Sequence, residues 1–179
     1  MTQSKLTALS HGTGATVRNA EQGPPRSEGI VPLGGSDAVA QGGFTFPMRV
    51  YWEDTDTGGV VFYANYLKFF ERARTEWLRS LGIAQQKLRE QTGGIFVVTS
   101  AQLEYLHPAR LDDQLFVTAS LKSAGRASLT IEQQALLVHS DSHAQEPTLL
   151  CTGSIRIGWV DGKTMRPARI PNHILEQLS

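Results

Sequence analysis

A single cysteine, Cys151, stands in the 179-residue chain, so no internal disulfide can form and the fold must rest on its core. One thiol fits a reducing compartment. Cys151 lies in an apolar stretch and reads as a small buried residue, not a nucleophile. Excess charge of either sign is also missing: 17 Lys and Arg balance 17 Asp and Glu. That balance removes the broad positive field with which proteins capture nucleic acid or anionic membrane, so no nucleic-acid partner is expected. No apolar run approaches the roughly 20 residues of a membrane span. Near the N-terminus, Leu6 and Leu9 are isolated among polar residues, so no signal-peptide h-region is present. Together these absences predict a cytoplasmic protein.

Residues 1–43 contain no aromatic side chain. They are rich in Gly, Ser, Thr, Gln and Pro, with breaks at Pro24-Pro25, Gly34-Gly35 and Gly42-Gly43. Such a segment buries too little apolar surface to offset its ordering entropy, and it reads as a flexible tail before a domain over 44–179. A transit peptide is a weaker reading, because Arg is sparse and Glu21, Glu28 and Asp37 are present. Removing residues 1–43 is therefore expected to leave solubility and turnover largely unchanged. A truncated chain that precipitates, or that loses most of its kcat/KM, would show the boundary to be wrong.

The remaining 136 residues suit one domain. Residues 44–52 alternate and are rich in aromatic and β-branched side chains, which predicts a first strand, with Pro47 marking an edge or bulge. A polar loop ending in Gly58-Gly59 follows. Tyr66, Phe69, Phe70, Ala73, Trp77 and Leu81 recur every three or four residues, predicting a long helix from about 61–65 to 81, stopped by Gly82. Arg72, Arg74, Glu76 and Arg79 are expected on its solvated face. A short helix over 83–91, four strands over 95–106, 114–123, 127–138 and 149–160, and a terminal helix over 172–178 complete the pattern. Close spacing of the four strands favours an antiparallel meander. The predicted class is α+β: a five-stranded sheet curled around one long helix, its outer face covered by a partner subunit.

The stretch Val50-Tyr-Trp-Glu-Asp-Thr-Asp-Thr-Gly-Gly-Val-Val-Phe-Tyr-Ala-Asn-Tyr66 carries the chemistry. It places carboxylates, two glycines and a helix start close together. Unpaired backbone N–H groups at a helix start suit an oxyanion forming on an attacked carbonyl, and a neighbouring carboxylate suits a nucleophile or general base. On spacing alone, Asp54 and Asp56 equally suit Asx-turn or N-cap roles.

This stretch, continued through Leu67-Lys-Phe-Phe-Glu-Arg-Ala-Arg-Thr-Glu-Trp-Leu-Arg79, resembles the 4-hydroxybenzoyl-CoA thioesterase family, most of all the branch encoded with the bacterial Tol–Pal envelope system. The resemblance extends over about 46–171 and includes Pro108-Ala-Arg-Leu-Asp-Asp113 and Met165-Arg-Pro167. It implies a hotdog fold and hydrolysis of acyl-CoA thioesters without metal or organic cofactor. It further implies Asp56 as the catalytic carboxylate, the Tyr63 N–H as the oxyanion donor, and Gly59 in the same turn. Two positions depart from the branch: Tyr63 stands where His is usual, and Trp52 where Tyr is usual.

Further substrate-binding candidates each carry a plainer reading. Asn65 either caps the helix locally or fixes the Asp56 loop. Glu71 is a solvated charge unless, as the resemblance implies, it faces the site. Lys122 and Arg126 flank the Gly125 turn, either as surface charge or as partners for CoA phosphates. His139 and His143 sit in a polar loop and are not expected to bind metal. The expected assembly is a homodimer or homotetramer acting on acyl-CoA, with acyl carrier protein as a further thioester carrier. Two rivals remain at this point. One is a non-catalytic acyl-CoA or acyl-carrier-protein binding module. The other is a hotdog hydratase or dehydratase, which normally needs a His that the helix-start motif lacks.

Overall fold

A computed structural model describes residues 43–139 and 146–178. The predicted tail over 1–43, apart from Gly43, and most of the 140–147 loop, His143 included, lie outside the described residues.

Five strands form one antiparallel sheet: β1 (Phe44–Arg49), β2 (Gly94–Tyr105), β3 (Gln114–Ala124), β4 (Ser128–Val138) and β5 (Thr148–Asp161). The helices are α1 (Asn65–Ser80), α2 (Gln85–Thr92) and α3 (Asn172–Gln177). A 3₁₀ turn over Trp52–Asp54 ends what had read as the tail of the first strand. Each helix and strand lies within a few residues of its predicted span.

The strand order is β1-β3-β4-β5-β2, which corrects the simple meander. Only β3, β4 and β5 follow that pattern. β2 pairs with β5 at the far edge, from Gly94 opposite Asp161 to Tyr105 opposite Cys151. The polypeptide between β2 and β3, residues 106–113, must therefore cross one end of the sheet. The edge position of β1 accommodates Pro47, which cannot donate to a ladder on both sides. Register shifts at Val98/Ser100, Leu121/Ser123 and Ala135/Leu136 bend the strands, as bulges do, and curl the sheet.

The buried stripe of α1 consists of Tyr66, Phe69, Phe70, Ala73, Trp77 and Leu78, flanked by Asn65 and Arg74, while Leu81 is half-buried. Phe70 lies so close to Gly153 on β5 that a Cβ there would come within 2.5 Å of its ring. Helix α1 ends in a Schellman motif: Gly82 (φ 82°) donates to Arg79 O and Ile83 N donates to Leu78 O.

Arg74 is a correction. It is 8 % exposed, not solvated. Four residues after Phe70 and three before Trp77, it falls on the apolar stripe, and its Nη1 donates to Gln133 Oε1 at 2.9 Å. Gln133, equally buried on β4, donates to Phe70 O at 2.9 Å. Arg79 pairs on the surface with Glu76, as its predicted face requires.

The sheet presents Thr118, Ser120, Glu132, Gln134, Thr152 and Ser154 around a polar groove of about 840 Å³. Large exposed apolar side chains lie elsewhere: Val98, Tyr105 and Leu106 on and after edge strand β2, and Tyr51, Trp52, Phe62, Tyr63 and Leu67 around the first loop.

Candidate active site

The loop between β1 and α1 is held by its own backbone. Asp54 is buried, and its Oδ2 accepts the Tyr51 N–H at 3.0 Å, closing the 3₁₀ turn. Its main-chain carbonyl accepts two donors, Phe62 N at 2.9 Å and Asn65 Nδ2 at 2.9 Å. Asp54 is thus the structural member of the carboxylate pair. Next, Asp56 N donates to Val60 O at 2.9 Å and Gly59 N to Asp56 O at 3.0 Å, a tight turn that places Gly59 at φ 73°. That left-handed conformation favours glycine.

Asp56 projects from this turn as an exposed carboxylate. Its Oδ1 accepts the Gly58 N–H at 2.8 Å, which orients it. Among the described residues no hydrogen bond reaches Oδ2. A Cβ at position 58 would stand 3.0 Å from Oδ1, so Gly58 gives the carboxylate its room.

The turn is clamped from below by residues 106–113, the connection that crosses the sheet end. Val61 N donates to Ala109 O at 2.8 Å, Val50 N to Asp113 O at 3.0 Å, and Asp112 N to Val50 O at 3.1 Å. Tyr66, on the first turn of α1, accepts the Ala109 N–H on its hydroxyl at 3.1 Å. Burial raises the Tyr66 phenol pKa, so it stays protonated at neutral pH.

At the helix start, Phe62 N is taken by Asp54 O, and Asn65 N by Phe62 O at 2.8 Å. Between these occupied donors, the Tyr63 N–H donates to no acceptor among the described residues. Tyr63 as a whole is 63 % exposed. A helix start offers such free donors together with the positive end of the macrodipole.

The other candidates fall in different places. Asn65 is buried as the first residue of α1, with Ala64 at the N-cap, so it fixes the loop and does not cap the helix. Glu71 is exposed, accepts the Thr75 hydroxyl at 2.8 Å, and stands about 9 Å along the helix from Asn65 at 1.5 Å per residue. Lys122 is ion-paired with Glu132. It lies some 26 Å along β3 from Gln114, the end that meets the Asp56 loop. Arg126 sits in the β3–β4 turn at the same remote end, its carbonyl accepting Ile170 N. One protomer does not bring Lys122 or Arg126 to Asp56. His139 Nε2 lies 2.8 Å from Thr148 Oγ1. Cys151 is buried and its thiol is pushed up to about 12, so it is neutral and unreactive at physiological pH.

A five-stranded antiparallel sheet curled around the long helix α1 is the hotdog fold of thioester hydrolases. The sequence of residues 50–178 matches the thioesterase-like superfamily, and the chain belongs to that family. It is 39% identical over 132 residues to the acyl-CoA thioesterase YbgC of Haemophilus influenzae, covering 74% of this chain and 91% of that protein. It is 34% identical to the acyl-CoA thioesterase YbgC of Helicobacter pylori, over 73% of this chain and 96% of the relative. Among solved structures, a probable thioesterase from Bartonella henselae aligns with TM-score 0.64 and 30% identity, covering 72% of this chain and 99% of that one. A 4-hydroxybenzoyl-CoA thioesterase variant complexed with 4-hydroxybenzoyl CoA aligns with TM-score 0.70 over 76% of this chain and 99% of its own, sharing the fold at 18% identity.

Proposed function

We propose that this chain hydrolyses acyl-CoA to free acid and CoA, with Asp56 as the catalytic carboxylate and the Tyr63 N–H as oxyanion donor. The observation that carries the reading is their placement on one rigid unit. The oriented Asp56 carboxylate and the unoccupied Tyr63 N–H share a loop pinned at Asp54 O, Phe62 O and Ala109 O. Attack on the thioester carbonyl moves negative charge onto its oxygen, where a preorganised N–H lowers the barrier. As nucleophile, Asp56 forms an acyl–carboxylate anhydride and expels the CoA thiolate, and water then cleaves the anhydride. As general base, it takes a proton from the water that attacks directly. Both routes consume one water and release acid and thiol.

The reading includes a homodimer built on β2. That strand is an edge twelve residues long, and Val98, Tyr105 and Leu106 expose apolar surface along it. Continuing the sheet across two copies would satisfy the open edge and cover those side chains. Sedimentation at micromolar concentration should show a dimer or larger; a monomer would sink this part. The cytoplasmic setting is proposed from the composition and the single thiol, and the Tol–Pal link from the sequence resemblance. Among the described residues no helix is long and apolar enough to cross a membrane. The decisive assay is thiol release from short aliphatic, long aliphatic and aromatic acyl-CoAs, with an acyl-acyl-carrier protein as a further substrate. Binding of these ligands without thiol release would favour the non-catalytic binding module.

A further inference from the structure

Tyr105, the last residue of β2, has no part in the chemistry described so far, yet it touches the proposed oxyanion donor from the opposite edge of the sheet. Its hydroxyl donates to the main-chain carbonyl of Tyr63 at 3.1 Å. The Tyr63 carbonyl stands just outside the helical ladder, because Leu67 N turns to Ala64 O. The Tyr105 ring packs edge-on against Tyr63, with centroids 6.3 Å apart at 84°, and against Tyr66 at 5.7 Å and 66°. Tyr66 in turn accepts the Ala109 N–H, so the ring is wedged against a braced neighbour. Burial, with Cys151 and Tyr63 nearby, raises the Tyr105 phenol, which therefore keeps its proton and remains a donor at neutral pH.

The peptide preceding Tyr63, which carries its N–H, is held on its carbonyl side, where Phe62 O accepts Asn65 N at 2.8 Å. The peptide following Tyr63 has its carbonyl fixed by Tyr105. Holding both flanking peptides sets the backbone of Tyr63 and hence the direction of its N–H. We infer that Tyr105 is a positioning residue for the oxyanion donor, acting through the Tyr63 backbone by its hydroxyl and not by contact with the reacting atoms. This inference rests on the proposed role of the Tyr63 N–H.

Tyr105→Phe keeps the ring and its packing but removes the hydroxyl. A misdirected donor lowers the rate of the chemical step and leaves ground-state binding unchanged. Displacements of this kind cost up to about 100-fold, and loss of one constraint among several is expected to lower kcat about 10-fold. KM should stay within about twofold, and the Kd of a thioether analogue of the substrate, which has no carbonyl to polarise, should not change. Three proteins are compared: wild type, Tyr105→Phe and Asp56→Asn. A reduced kcat with unchanged thioether affinity in Tyr105→Phe supports the assignment. Full kcat in Tyr105→Phe, with wild type active and Asp56→Asn inactive, overturns the Tyr105 assignment alone. A rise in KM and thioether Kd at full kcat also overturns it, because Tyr105 would then be a binding-wall residue. Wild type that releases no thiol overturns both this inference and the function on which it rests.

Discussion

Asp56→Asn is expected to lower kcat by roughly 100- to 10,000-fold through loss of general-base help, and by more if the carboxylate is the nucleophile. The substitution is nearly isosteric. Asn retains a side-chain oxygen to accept the Gly58 N–H, so the turn that places Gly59 at φ 73° is preserved. Substrate binding and melting temperature should change little, and the loss should appear in kcat. Asp54 supplies the control. Its carboxylate is buried against the Tyr51 N–H and does not face solvent, so Asp54→Ala should act first on stability. Losing a side-chain cap of this kind costs about 0.5–2 kcal/mol. Retained thioesterase activity in Asp56→Asn would refute the catalytic assignment. Activity lost through kcat in Asp54→Ala alone, with the fold intact, would mean that the chemistry belongs to the other carboxylate.

The second large effect concerns stability. Gln133→Met should destabilise the domain by about 2–4 kcal/mol, because it removes the acceptor for a buried guanidinium and the donor to the Phe70 carbonyl. The Arg74 guanidinium is charged at neutral pH although burial lowers its pKa, so it is left in the interior without its amide partner. Glu71, one turn away on the exposed helix surface, offers only a partial counter-charge. The double variant Gln133→Met, Arg74→Met removes the stranded charge together with its partner and should recover part of the loss. Replacing a buried polar pair by apolar groups of similar volume is often close to neutral. Urea unfolding at one fixed protein concentration measures Gln133→Met, Arg74→Met and the double variant, since any dimer couples stability to concentration. A double variant as unstable as the sum of the singles would show that Arg74 and Gln133 act independently.

The two carboxylates separated by one residue illustrate how far local pattern reaches. Asp54 and Asp56 look alike as Asx-type loop residues, and their opposite fates depend on which one turns under the 3₁₀ segment to meet Tyr51 N. At Arg74, charge argues for solvent while position argues for the stripe. A core amide 59 residues away, on β4, decided in favour of the stripe. Tyr105 carries no local signal at all: 42 residues separate it from Tyr63, and only the pairing of β2 with β5 brings it there.

What the sequence determined by itself follows from short-range physics. Spacings of three and four residues define α1, Gly82 ends it, alternation marks the strands, and the run from Val50 to Tyr66 places a carboxylate and glycines just before a helix start. These features depend on neighbours along the chain. Tertiary structure alone decided the crossing of β2 to the far edge, the clamp of residues 106–113 under the Asp56 loop, and the remoteness of Lys122 and Arg126 from that loop. Each of these depends on which distant strands pair, and pairing is selected by the burial of whole faces against α1, a sum over the domain that no single stretch of sequence encodes.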